Sequence, residues 1–373
     1  MSLGPQIRWR TLESVALPLI ALGLALIVCA LAVALLGASP FAAAAALLDG
    51  SFGSLAALGE TSLKATALTF TGLAVVVPLA AGFFNIGGQG QFLVGALGAA
   101  WAGHALALPA PIELPVALAI AAAAGALYGL LPAALKVYRG VHEVISTILL
   151  NWIAIHLIND WLVVGPLAAS RGAGQFAGSG TAPIHQSAHL TLLTAAQSRL
   201  NVGFALALLF AVGCAWFLYR SRAGLEVRAL RHSLASARAA GIPVERRSLQ
   251  AFAVGGMCAA LGGACMVLGG GTDFHYPENY RDAYGFDGIA VALLGAGHPL
   301  GVCFSALFFG ALRAGALRLQ DPEIGLHRAW PDIAQALAVL FVSAQPALRG
   351  LWRKVFRSRD EVPAASGEAD GTA

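Results

Sequence analysis

Polar residues stand in three places where the surrounding sequence is otherwise apolar, and each set suits a different chemistry. Phe83-Phe84-Asn85-Ile86-Gly87-Gly88-Gln89-Gly90-Gln91-Phe92 puts an Asn and two Gln beside flexible glycine backbone. Amides in such a run offer neutral hydrogen-bonding groups to a solute or to interrupted backbone. Glu143, Ser146, Thr147, Asn151 and Asn159 form the second set. Glu143 and Thr147 are four apart, as are Thr147 and Asn151, so one helix face carries all three. A polar stripe of this kind either lines a path or bonds neighbouring helices. Asp287, beside Gly288, is a carboxylate in an apolar segment, costly there unless hydrated or paired. It fits a path, a structural switch or a membrane-edge position, and Arg313 either pairs with it or snorkels outward.

None of these sets breaks bonds. The nine histidines are scattered, and no His-Glu-x-x-His occurs. His142 and Ser146 are close, but no glycine-framed nucleophile turn accompanies them. The glycine run lacks the Lys-Ser/Thr ending of a phosphate loop. The five cysteines, Cys29, Cys214, Cys258, Cys265 and Cys303, all fall in apolar stretches without metal-ligand spacing and read as small apolar filler. With no ATP-hydrolysing signature, active transport by this chain needs an ion gradient or another subunit.

The elements that must position these residues are membrane helices. Residues are 58% hydrophobic and 11% charged, and mean hydropathy is +0.74, values that belong to integral membrane proteins. A bilayer core of ~30 Å needs roughly 20 apolar residues per helix. The sequence predicts an all-α polytopic bundle of about ten segments: Val15–Leu36, Leu63–Phe83, Ile86–Ala105, Ile112–Leu135, Val144–Val164, Leu200–Tyr219, Leu249–Gly269, Gly285–Gly297, Leu300–Leu317 and Asp332–Leu348. The first is an uncleaved anchor by pattern. Gly285–Gly297 is too short to span alone, and Gly297-His298-Pro299 suggests a hairpin with the next segment. The amide run reads either as broken backbone facing a cavity, as in discontinuous helices of carriers, or as a turn between two spans.

Arginine distribution orients the bundle. Arg8 and Arg10 precede the first span, Lys136 and Arg139 follow the fourth, and Arg349, Arg353, Lys354, Arg357 and Arg359 follow the last. The gap after the sixth holds Arg220, Arg222, Arg228, Arg231, Arg238, Arg246 and Arg247 against Glu226 and Glu245. The alternate gaps are nearly neutral or acidic. The positive-inside rule then puts both termini in the cytoplasm. This gives a cytoplasmic segment at 1–14, a transmembrane domain at 15–348 with a cytoplasmic loop at 220–247, and a cytoplasmic tail at 349–373 whose distal part reads as disordered. The loop from Gly224 to Ile242 has helical periodicity, with Leu225, Leu230, Leu234 and Ala237 on one apolar flank and Arg228, Arg231 and Arg238 elsewhere, before a stop at Gly241 and Pro243. A short amphipathic helix of this kind lies on lipid headgroups or docks into a partner.

Four segments in order resemble the permease subunits of bacterial ATP-binding-cassette importers for branched-chain amino acids, ribose and nucleosides. They are Phe84–Gln91, Glu143–Asn151, Gly224–Ile242 and Tyr284–Gly295. The nearest branch is the simple-sugar/nucleoside one, which works with basic-membrane-protein-type lipoprotein receptors. The resemblance implies a bacterial plasma-membrane protein that opens by alternating access and contains no cofactor. ATP and Mg would belong to a cytoplasmic ATPase, beside a homologous or identical permease and an external solute-binding protein. It makes the 225–242 loop the ATPase-coupling element, with Leu225, Glu226, Arg228, Leu230, Arg231, Leu234, Arg238 and Gly241 as its working residues. Asn85, Gln89, Asn151, Phe286 and Asp287 are the candidates for the solute path, nucleosides being favoured over simple sugars and branched-chain amino acids. Two departures stand out: His232-Ser233-Leu234 replaces a common Asn-Pro pair, and Gln89 stands where many nucleoside-type members have Glu. A secondary carrier fits less well because acids are sparse, and a channel because no charged ring or carbonyl filter is present.

Overall fold

The computed structural model describes residues 5–169, 180–194, 198–280, 282–321, 324–327 and 330–344, with side chains from Ile20 onward except at 331, 342 and 343. In chain order the helices are α1 (Pro5–Leu35), α2 (Pro40–Phe52), α3 (Leu55–Ala80), α4 (Gly88–Ala105), α5 (Ala110–Arg139), α6 (Glu143–His156), α7 (Val202–Arg220), α8 (Arg222–Leu230), α9 (Leu234–Ala239), α10 (Val244–Leu268), α11 (Tyr284–Leu294), α12 (Pro299–Gly315) and α13 (Trp330–Ser343). Isolated bridges but no strands occur among the described residues, so the fold is all-α.

Burial sorts these helices into layers. Of the most apolar stretch of α3, and likewise of α10, 83% is buried inside the protein, against 22% for α5 and 28% for α7. A helix apolar all round belongs inside, and one with a free apolar face in a membrane protein meets lipid. Close approach requires glycine at the contacts. A Cβ on Gly256 of α10 would stand 2.2 Å from the Gly125 carbonyl oxygen of α5, and one on Gly263 only 2.1 Å from that of Phe92 in α4. Small residues here let backbones touch, which is how helices gain dispersion energy where lipid removes the hydrophobic drive.

Six helices among the described residues are long and apolar enough to cross a membrane: α3, α5, α6 with its π-helical extension Leu157–Leu162, α7, α10, and α12 with its 3₁₀ extension Ala316–Gln320. A seventh arises if Ile20–Leu35 and α2, bent by 117°, form one broken span. These assignments leave the ten-segment count open. Helix α2 is a feature that the sequence reading passed over. Its start has a legible signal, because Ser39 accepts from the Ala42 amide at 3.4 Å and Pro40 opens the first turn. Helix α1 already begins at Pro5, within the segment assigned to 1–14. The tail at 349–373 and residues 345–348 of the last expected span lie outside the described residues.

Two interruptions shape the bundle's middle. After α3, Gly82 takes φ +86°, and the chain turns back alongside the helix it has just left. The Asn85 side chain reaches the carbonyl of Ala74 at 3.1 Å, so this run is inserted into the bundle and is not a surface turn. The second interruption is α11, whose 11 residues extend roughly 16 Å, about half a bilayer core. It joins α12 through a hairpin turn in which Ala296 and Gly297 have φ +54° and +66°. The His298 Nδ1 accepts from the Leu300 amide at 3.2 Å to start α12.

Candidate functional site

The two interruptions meet. Gln89, in the first turn of α4, accepts from the Gly285 amide at 2.9 Å and donates to the Asp282 carbonyl at 2.9 Å. A Cβ on Gly285 would come within 2.2 Å of the Gln89 backbone, so only glycine admits this contact. Asn151 of α6 accepts from the Gly90 amide at 2.8 Å and donates to the Ile86 carbonyl at 2.7 Å. Asn85 donates to Gln91 at 3.0 Å and accepts from the Gly87 amide at 2.9 Å. These amides replace the hydrogen bonds that broken helices forfeit, which backbone at membrane depth requires. Asn85, Gln89, Gln91 and Asn151 are all buried.

The other members of the stripe on α6 bond differently from Asn151. Thr147 donates to the Glu143 carbonyl of its own helix at 2.7 Å, and Glu143 pairs with Lys136 at 2.8 Å. Ser146 also donates to the Glu143 carbonyl and does not engage His142. Of the two roles open to the stripe, bonding between neighbouring segments describes what Asn151 does here.

Asp287 is paired: Arg313 of α12 contacts one carboxylate oxygen and Gln335 of α13 donates to the other at 2.8 Å. The Arg313 guanidinium also lies 4.8 Å from the centre of the Tyr284 ring, a cation–π contact. One carboxylate thereby ties α11 to α12 and α13. Phe286 is 38% exposed.

Beside this junction opens a polar cavity of about 560 Å³, lined by Glu60, Lys64, Arg199, Asp282, Tyr284, Arg313 and Asp332 among others. Its size suits a small-molecule site. Lys64 pairs with Glu60 at 3.1 Å, and Arg199 reaches Glu60 at 2.9 Å and Asp273 at 3.4 Å. None of Asn85, Gln89, Asn151, Phe286 and Asp287 lines it. The residues that do were missed as a site in the sequence, although Lys64, a cation within an apolar helix, is a signal by itself. Glu60 and Lys64 lie near the start of α3 and the loop at 222–241 packs near its end, so roughly 25 Å of helix separates the cavity from that loop.

The loop folds as two short helices, α8 and α9, where one was expected. Ser233 breaks the run: extended at φ −167°, it accepts from the Ser236 amide at 3.1 Å and so caps α9. Leu230 is 2% exposed, against 61% for Leu225 and 39% for Leu234. Leu230 therefore seats α8 against the bundle and leaves the proposed docking face. Glu226 pairs with Arg247 at 2.6 Å, Arg238 with Glu245 at 2.6 Å, and Gly241 turns the chain at φ +79°. Leu225, Arg231, Leu234 and Arg238 remain as exposed candidates.

A many-helix membrane bundle with re-entrant segments, a polar cavity near one end and a basic helical loop at the other has the architecture of a permease. The chain belongs to the family described as branched-chain amino acid transport system / permease component, which matches residues 57–342. It is 37% identical to the guanosine ABC transporter permease protein NupP of Bacillus subtilis over 93% of this chain and 98% of that one. It is 30% identical to the nucleoside ABC transporter permease protein NupB of Lactococcus lactis, over 89% and 91% of the two chains. Identity to the glucose ABC transporter permease protein TsgB13 of Haloferax volcanii is 31%, over 76% and 75%. No solved structure matches the chain. It is thus an ABC transporter permease, a multi-pass protein of the plasma membrane.

Proposed function

We propose that this chain is the membrane path of an ATP-driven importer for nucleosides. The observation that carries the reading is the near full-length similarity to the guanosine permease NupP. The cavity supports it: Lys64, Glu60, Arg199 and Asp282 in its lining offer donors and acceptors to a polar, uncharged solute. The permease contributes gates and a path, without bond-breaking groups; ATP and Mg belong to a cytoplasmic ATPase. A second, homologous or identical permease and an extracytoplasmic solute-binding lipoprotein complete the assembly. Both termini and the 220–247 loop face the cytoplasm, so the polar cavity opens toward the receptor. ATPase closure moves the coupling loop and opens the bundle outward, and hydrolysis resets it. The similarity to a glucose permease makes a sugar the second reading.

Uptake decides between them. Cells carrying the permease with its ATPase and receptor are expected to accumulate labelled guanosine, with unlabelled nucleosides competing and glucose failing to compete. Competition by glucose alone would overturn the nucleoside assignment.

Docking gives a separate expected outcome. Leu225→Asp or Leu234→Asp puts a charge on an exposed apolar contact and is expected to weaken ATPase binding about tenfold or more, since a desolvated unpaired charge costs several kcal/mol. Leu230→Asp instead is expected to unseat α8 and lower permease abundance. Pull-down of the ATPase at matched permease levels measures both; full binding by both exposed-site variants would remove the docking role.

A further inference from the structure

The coupling loop touches both interruptions of the bundle, through separate contacts. Gly82, where the chain turns back after α3, lies against the loop so closely that a Cβ there would stand 3.0 Å from the Arg231 Cα. The second contact is a stack of side chains. Arg228 of α8 donates from Nε to the Leu218 carbonyl at 2.9 Å, and its guanidinium lies 5.1 Å from the centre of the Tyr219 ring. The Tyr219 ring in turn stacks on His298 at 5.0 Å and 13°. His298 is the residue that caps α12 and closes the hairpin turn after α11. Tyr219, Arg228 and Arg231 line a cavity of about 570 Å³ together with Ala296 and Gly297 of the turn, which leaves room for the turn and α8 to shift. At its far end, α11 is hydrogen-bonded to Gln89 through the Gly285 amide.

We infer that Tyr219 and His298 are positioning residues for transport: they carry displacement of α8 into the α11–α12 turn, so that α11 moves as a short rigid lever against the Gln89 junction. The inference rests on the importer reading. Three features support a lever. Helix α11 is a single short helix with no break, its turn is built on two residues of positive φ, and its opposite end is held by the Gly285 contact and hydrogen bond with Gln89 and by Asp287, which pairs with Arg313 and Gln335. Gly82 gives the other interruption a direct backbone contact with the same loop. One displacement therefore reaches both faces of the junction.

The test uses the complete complex in proteoliposomes, with spin labels at Phe286 on α11 and Leu209 on α7, both exposed, for the distance readout alone, and unlabelled protein for ATPase and transport. In the parent, a non-hydrolysable ATP analogue is expected to shift the label distance. Tyr219→Leu removes the stacking ring, whereas Tyr219→Phe keeps it. His298→Asn removes the ring but keeps an acceptor to cap α12. Tyr219→Leu and His298→Asn are expected to bind the ATPase and hydrolyse ATP as the parent does, yet lose the label shift. Solute moved per ATP is expected to fall about tenfold, within the range of coupling effects, while Tyr219→Phe behaves as the parent.

Parental label shift and transport per ATP in Tyr219→Leu or His298→Asn would overturn the lever. So would a Tyr219→Phe variant as defective as Tyr219→Leu, or loss of ATPase binding as the source of the defect. If Tyr219→Leu does not assemble, His298→Asn decides. Failure of the parent to move guanosine rejects the solute and not the lever, because the label shift is read without solute. Failure of the ATPase to bind the parent rejects the importer reading and the lever with it.

Discussion

Arg313→Met is expected to destabilise the permease by up to about 3 kcal/mol, below the ~3–5 kcal/mol cost of stripping one partner from a fully buried ion pair, because Arg313 also lines the polar cavity. The side chains of Arg313 and Asp287 are 18% and 15% exposed, so water only partly solvates the carboxylate that remains. The Gln335 amide donates to one of its oxygens but supplies no charge. Asp287→Asn in the same chain is expected to restore most of the loss, because the neutral amide no longer needs a cation. Asp287→Asn alone is milder, since Arg313 keeps the Tyr284 ring. Thermal unfolding of the purified protein in one detergent measures all three variants. Equal stability of Arg313→Met and the parent, or a double variant no better than Arg313→Met, would show that the pair is hydrated and structurally idle.

The same cluster shows what the sequence could convey. An Asp in an apolar segment announces a need for a partner, and Arg313 was named as one; nothing in a linear pattern points to Gln335 of α13. Apolar runs located the long helices but not their ends, since α3 starts at Leu55 and not at Leu63, and the hairpin at Gly297-His298-Pro299 followed from its turn residues. The amide run was recognisable as unusual, yet its depth was not. That depth depends on Asn85 meeting Ala74, a contact set by the reversal at Gly82. The polar cavity was illegible for a similar reason. Glu60 of α3, Asp332 of α13, and Arg199 and Asp282 of two connections come from separate parts of the chain, and each alone looks like an ordinary charge at a membrane edge. Periodicity also put Leu230 on an outward apolar flank, to which the family resemblance gave the docking role, because a helical pattern shows which residues share a face but not what that face meets.

Asn151→Leu distinguishes a solute ligand from a structural amide. Were Asn151 a ligand alone, uptake would fall while the protein melted as the parent does. The geometry instead leaves the Gly90 amide and the Ile86 carbonyl without their partner, in a site where Asn151 is 1% exposed. At about 1–3 kcal/mol for each of the two stranded buried groups, the expected loss is roughly 2–6 kcal/mol, with uptake and abundance falling together. Thr147→Val on the same face is the control. Its hydroxyl bonds carbonyls of its own helix, which the helix ladder already engages, so its removal is expected to cost under about 1 kcal/mol. Melting temperatures and uptake at matched abundance separate the two accounts. An Asn151→Leu protein of parental stability that no longer transports would return Asn151 to the solute path and take from it the role of sealing the broken helix.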